Sequence, residues 1–126
     1  MSDAPKRVLI VDDDPEITDV LTDYFKGKTG FTIETAATAE AGVAAARRVR
    51  PDLVLLDLEM PGLGGMEGLK QLRRTIGEVP VLIVSGTMDL AAPSDAMKHG
   101  ALAFIPKPFN FQYIDHLVAL ALDQKS

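Results

Sequence analysis

The feature that most constrains this chain is a repeated pairing. Short apolar runs alternate with stretches whose apolar residues recur at helical spacing. The runs are Arg7–Val11 (RVLIV), Phe31–Thr35 (FTIET), Leu53–Leu56 (LVLL), Val81–Val84 (VLIV) and Leu102–Ile105 (LAFI). Three of them are apolar throughout, as strands covered on both faces of a parallel sheet must be. FTIET alternates apolar with polar, which suits a sheet edge.

Helices fill the intervals. Asp14-Pro15 offers an N-cap followed by proline at the first helical position. Ile17, Val20, Leu21, Tyr24 and Phe25 then recur at helical spacing, and Gly27 is expected to stop the helix. Thr38 to Arg50 is alanine-rich and ends at Pro51. Met66, Leu69, Leu72 and Ile76 mark a third helix. Ala91–His99 is a weaker fourth, where Pro93 can sit only in the first turn and Gly100 closes the end. Asn110 can cap a last helix with Ile114, Leu117, Val118 and Ala121 on its inner face. This alternation predicts an α/β fold: a flavodoxin-like (βα)5 three-layer sandwich with a five-stranded parallel sheet in the order 2-1-3-4-5.

With 126 residues the chain is expected to be one domain, 1–126, with a core over about 7–122. Its 47% hydrophobic content can fill that core. With no cysteine, disulfides and thiolate chemistry are excluded. A net charge of −5 argues against direct nucleic acid binding, which needs a basic face. No apolar run approaches the roughly 18–20 residues of a membrane helix, and Met1 to Arg7 has no signal-peptide core. The expectation is a cytoplasmic protein with no membrane association.

In a parallel sheet all strands finish at one edge, where ligands bind in this class of fold. Asp12, Asp13 and Asp14 follow the first run, Asp57 the third, Ser85 the fourth and Lys107 the fifth. Four segments thus deliver carboxylates, a hydroxyl and an ammonium to one place. Two charges ~4 Å apart repel by about 4 kcal/mol at an effective dielectric near 20. Clustered carboxylates therefore need a counter-charge, and Lys107 or a divalent cation would supply it. All the candidate ligands are oxygens, which favours Mg²⁺ (or Mn²⁺) over Zn²⁺. A carboxylate, positioned positive charge and a hydroxyl make a phosphoryl-transfer centre, with an aspartate as nucleophile.

Each residue also has a plainer role. Asp14 is expected to be a helix cap, and Ser85 could turn with Gly86. His99 is placed at a helix C-terminus. Arg47, Arg48, Arg50, Arg73 and Arg74 are placed on solvated helix faces. Gly62, Gly64 and Gly65 do not form a dinucleotide fingerprint, since Glu67 stands in place of the third glycine; a tight turn after Met60-Pro61 is expected instead.

The segments VLIVDDDPEI, DLVLLDLEMPGLGGMEGL, VLIVSG and GALAFIPKPF, in this order, resemble the receiver domain of two-component response regulators, of the single-domain chemotaxis-regulator type. The resemblance runs from about Arg7 to about Leu122. It implies a phosphorylation-activated signalling domain rather than an enzyme. Asp57 would accept phosphate from a histidine kinase or histidine phosphotransfer protein. Asp13 would bind Mg²⁺ directly, Asp12 mostly through water, and Asp57 and the Glu59 backbone carbonyl would complete the protein ligands. Ser85 would be the switch hydroxyl, Phe104 the switch aromatic that turns inward, and Lys107 the partner of the phosphoryl group. The Lys107–Pro108 bond would be cis. The surface of helix four, strand five and helix five, near Phe104 and Met88, would signal to a downstream protein target, from a monomer or a phosphorylation-linked dimer. Leu120 and Leu122 lie off the inner face of the last helix, as core or as docking residues.

Three departures from the pattern stand out. Gly64 replaces a frequent aspartate. Glu59 adds a carboxylate, expected to pair with Lys107 in the absence of metal and to influence phosphate lifetime. Pro93 suggests a shortened or shifted fourth helix. Two rival functions compete. A haloacid-dehalogenase-like phosphatase would use Asp12 as nucleophile, but Glu16 and the missing later acidic pair disagree with its motifs. An interaction module of the same fold would never be phosphorylated. The sequence fits a stand-alone protein and a fragment of a longer regulator equally.

Overall fold

The computed structural model describes residues 5–60, 65–86 and 91–123. The elements alternate as β1 (Lys6–Val11), α1 (Pro15–Lys26), β2 (Phe31–Ala36), α2 (Ala39–Arg48), β3 (Leu53–Asp57), α3 (Gly65–Ile76), β4 (Val81–Ser85), α4 (Ala91–Lys98), β5 (Ala103–Pro106) and α5 (Phe111–Asp123). All strand pairs are parallel and the order is β2-β1-β3-β4-β5. The expected fold class and strand order are found.

The strand period of two splits the core into two layers. Val8, Ile10, Leu53, Leu55, Leu82, Val84 and Ile105 face the layer formed by Leu21 and Phe25 of α1 and Ile114, Leu117, Val118 and Ala121 of α5. Leu9, Val11, Val54, Leu56, Val81 and Ile83 face α2, α3 and α4. Each large side chain fully buried this way contributes roughly 1.5–3 kcal/mol, so both faces must be covered for the strands to stay apolar. The α2–α3 pair approaches closely because small residues meet: a Cβ on Gly68 would stand 2.9 Å from the Cβ of Ala39.

Helix ends follow local chemistry. Asp14 caps α1, its carboxylate accepting from the Glu16 N–H at 2.9 Å, with Pro15 next. Thr38 caps α2 through the Ala41 N–H, and Asn110 caps α5 through the N–H groups of Gln112 and Tyr113. His99 directly follows α4 and is exposed, its N–H donating to Asp95 and Ala96 carbonyls. Pro93 falls in the first turn of α4, at 8 residues the shortest of the described helices.

Gly27 stops α1 as expected, whereas the readings of Arg73 and Gly65 are corrected. Gly27 closes α1 with a right-handed φ of −69°, so it works as a cap without the left-handed turn. Val20 is exposed, whereas Leu21 and Phe25 fill the core. Arg73 is not a solvated residue: its guanidinium donates to the carbonyls of Gly77 and Val79, tying off the C-terminus of α3. Arg47, Arg48, Arg50 and Arg74 are exposed as expected. Leu122 packs on the α1–α5 core layer, while Leu120 is exposed. Gly65 opens α3 rather than belonging to a turn, whereas Pro61, Gly62, Gly64 and Met88 lie outside the described residues.

Candidate functional site

Among the described residues the buried polar side chains are Asp12, Asp57 and Ser85, each 3% exposed or less. All three stand at the C-terminal edge of the sheet. Asp57 and Ser85 are the last residues of β3 and β4, and Asp12 immediately follows β1. Because β3 lies between β1 and β4, it is topology that brings these segments side by side. Burying a charge costs several kcal/mol. A fold that spends this at one place, with an otherwise apolar interior, marks that place as functional.

Each group is held. Asp12 Oδ1 accepts the Asp14 N–H at 2.9 Å, and Asp57 Oδ1 accepts the Glu59 N–H at 3.0 Å. Lys107 follows β5, which is anchored to β4 by the Lys107 N–H donating to the Ser85 carbonyl at 3.0 Å. Its Nζ stands 3.7 Å from Asp12 Oδ2 and 3.9 Å from Asp57 Oδ1. The Lys107–Pro108 peptide is cis. Phe104 is half-buried against the α2–α4 core layer, and its carbonyl accepts the Tyr113 hydroxyl of α5 at 3.3 Å.

Burial is the main force on the carboxyls. It pushes Asp12 up to about 6, with the Asp57 charge adding to the rise and the Asp14 N–H opposing it. Burial also raises Asp57, partly offset by the Glu59 N–H and Lys107. Lys107 therefore compensates the pair only in part.

A metal fits this deficit. Asp12, Asp13 and Asp57 offer carboxylate oxygens within 4.8 Å of one another. Asp12 Oδ2 is buried without a hydrogen-bond partner. Asp13 is exposed, so the cluster opens to solvent on one side. An all-oxygen donor set with one orphaned buried oxygen suits a hard divalent cation.

The Glu59 side chain lies elsewhere than expected. The ion pairs of Lys107 among the described residues run to Asp12 and Asp57. Glu59 Oε1 instead accepts the Ser85 hydroxyl and the Gly86 N–H, both at 2.7 Å. The chain beyond Asp57 stays beside β4, with the Leu58 N–H directed at the Val84 carbonyl at 3.4 Å, and this carries Glu59 to the end of that strand. The β3–β4 adjacency was the signal in the sequence that could have placed it there.

Comparison with known proteins agrees with this geometry. The response regulator receiver domain family matches residues 8–119. The probable C4-dicarboxylate response regulator DctR of Halalkalibacterium halodurans is 35% identical over 107 residues, covering 84% of this chain and 46% of that protein. The DNA-binding transcriptional regulator NtrC of Salmonella typhimurium is 38% identical over 113 residues, 90% of this chain and 23% of that protein. The chain thus spans about half the length, or less, of these relatives. A CheY-like response regulator receiver domain protein from Methanospirillum hungatei superposes with a TM-score of 0.89 at 30% identity, covering 96% of both chains. The receiver domain of NtrX from Brucella abortus does so with 0.86 at 30% identity, over 92% of this chain and 98% of that one. Fold, acidic edge and relatives converge: the chain belongs to the response regulator receiver domain family, the phosphorylation-activated module of two-component signalling.

Proposed function

We propose that Asp57 is the phosphoacceptor, taking its phosphoryl group from the phosphohistidine of a histidine kinase or a histidine phosphotransfer protein. The observation that carries this is the concentration of buried polar residues, Asp12, Asp57 and Ser85, at one sheet edge with Lys107 reaching in. An Asp57 carboxylate oxygen forms the new O–P bond as the donor's N–P bond breaks. The electron pair leaves with the imidazole, which takes its proton from water. Lys107 supplies positive charge to the transferred oxygens, and the Ser85 hydroxyl donates to one of them. Asp12, Asp13, Asp57 and the Glu59 backbone carbonyl would hold Mg²⁺, or Mn²⁺ in its place. When bound, the ion neutralises charge on the carboxylates and the phosphoryl oxygens.

The added charge of roughly −1.5 to −2 then biases the β4 and β5 loop ends towards one arrangement. Ser85 and Phe104 are the moving parts, and Tyr113 links Phe104 to α5. The readout is the α4–β5–α5 face, where Met97, Tyr113 and Leu120 are exposed. A downstream protein docks there, or a second receiver in a phosphorylation-linked dimer; the unphosphorylated chain is a monomer. The domain does not itself bind nucleic acid, in keeping with its net charge of −5. No described helix is long and apolar enough to cross a membrane. Because kinase phosphoryl groups derive from ATP, the reading places the domain in the cytoplasm, as one receiver over residues 1–126.

The test is incubation with acetyl phosphate or phosphoramidate and Mg²⁺, followed by intact mass measurement. One phosphoryl adduct is expected on the native chain and none on Asp57→Ala. No adduct with either donor, or an undiminished one in Asp57→Ala, would overturn the assignment. An acid-labile phosphate on Asp12 would favour the phosphatase-like chemistry instead.

A further inference from the structure

We propose that the Glu59 side chain is a positioning residue for the switch, holding the two donors at the end of β4 that an incoming phosphoryl group must take over. The proposal rests on Asp57 being the phosphoacceptor. One carboxylate oxygen, Oε1, receives both the Ser85 hydroxyl and the Gly86 N–H at 2.7 Å. Two donors converging on a single anionic oxygen is the arrangement a phosphoryl oxygen would also use.

The backbone places Glu59 for this role. Its own N–H donates to Asp57 Oδ1 at 3.0 Å, so the residue is tied to the phosphoacceptor on one side. Its side chain reaches β4 on the other. Glu59 therefore bridges the acceptor and the switch hydroxyl, and it sets the orientation of that hydroxyl before transfer.

Charge decides the direction of the effect. The phosphoryl group and the Glu59 carboxylate carry the same sign and compete for the same donors. Both cannot occupy that position, so the carboxylate must swing out into solvent, where the exposed residue has room. Glu59 thus restrains the switch and weakens phosphoryl engagement. Substitutions at Glu59 leave its backbone carbonyl for the metal.

The test uses the whole isotopically labelled chain, native, Glu59→Gln and Glu59→Ala. Two readouts are followed by NMR: the Gly86 amide proton, by shift and hydrogen exchange, and titration with beryllium fluoride in Mg²⁺ as a phosphoryl mimic. The amide is expected upfield and faster-exchanging in Glu59→Ala. Glu59→Gln, which keeps an acceptor without the charge, falls between. Beryllium fluoride is expected to bind Glu59→Ala about tenfold tighter than native, the equivalent of one charge-assisted hydrogen bond no longer given up. An unchanged Gly86 amide in Glu59→Ala, or equal beryllium fluoride affinity in the two proteins, overturns the proposal. Failure of the Asp57 reading looks different: no protein in the series, native included, would then bind beryllium fluoride at all.

Discussion

Lys107 Nζ and Asp12 Oδ2 lie 3.7 Å apart, and that oxygen is buried without a hydrogen-bond partner. The two residues come from opposite ends of the chain and meet because β1 and β5 finish at the same sheet edge. The contact is Coulombic and too long for a hydrogen bond. Lys107 therefore balances the site without saturating it, which leaves Asp12 able to accept a second cation. On the proposed function, it also lets the ammonium turn to a phosphoryl group carried by Asp57.

That shared role predicts a large effect for Lys107→Ala. With the ammonium gone, no side chain shown at the site offers a full positive charge to the transferred group, and only a bound cation is left to do so. By analogy with deletion of a single oxyanion donor, the phosphorylation rate with acetyl phosphate should fall about a hundredfold. The measurement is the time course of adduct formation by intact mass. A rate close to native would remove Lys107 from the mechanism.

The same imbalance sets a pH and metal dependence. Burial raises Asp12 to about 6, so between its ordinary 3.8 and about 6 the folded chain binds more protons than the unfolded one. Stability must then fall as pH rises through that window, and the full penalty is present above it. Mg²⁺ relieves that penalty only where the carboxyls are ionised. It should raise the melting temperature clearly at about pH 8 and little at about pH 5, and the difference should shrink in Asp12→Asn. Thermal melts with and without MgCl₂ at both pH values check this.

How legible all this was depended on distance along the chain. Strands and helices were readable because apolar periodicity is local, and boundaries moved by one or two residues, as where β3 and β4 take in Asp57 and Ser85 and α2 ends at Arg48. The converging edge was readable because parallel topology forces it. What escaped was anything set by a particular side-chain path. Glu59 and Lys107 have complementary charges, yet the extension of β3 beside β4 puts Glu59 on Ser85. Val20 shares the helical spacing of Leu21 and Phe25 but sits at the rim of the buried stripe.

Arg73 escaped for the same reason and carries its own prediction. Its guanidinium reaches the carbonyls of Gly77 and Val79, and its Cδ packs where a Cβ on Gly100 would stand, 2.9 Å away. Arg73→Ala leaves the carbonyls at the end of α3 without these donors. The expected loss is about 2 kcal/mol in denaturant unfolding, with Arg73→Lys intermediate because an ammonium lacks the fork. Arg74→Ala, on the exposed neighbour, should change little.

Gly65 joins stability to chemistry. A Cβ there would lie 2.3 Å from Leu58 Cα, 2.6 Å from the Asp57 carbonyl oxygen and 2.8 Å from Leu58 C. These are backbone atoms, so no rotamer change relieves the clash, and either α3 or the end of β3 must move. Gly65→Ala should cost about 2–3 kcal/mol and also slow phosphorylation, because the displaced segment carries Asp57 and Glu59. Gly77→Ala is the counterpart. Gly77 has φ +65° with nothing within 4 Å of a Cβ, so alanine there strains only its own backbone, by roughly 1 kcal/mol. It should lower stability without altering the phosphorylation rate of the folded protein. Urea unfolding and adduct kinetics on both variants separate the two effects. Equal kinetics in both would mean that the close approach of α3 to β3 does not position Asp57 for the proposed transfer.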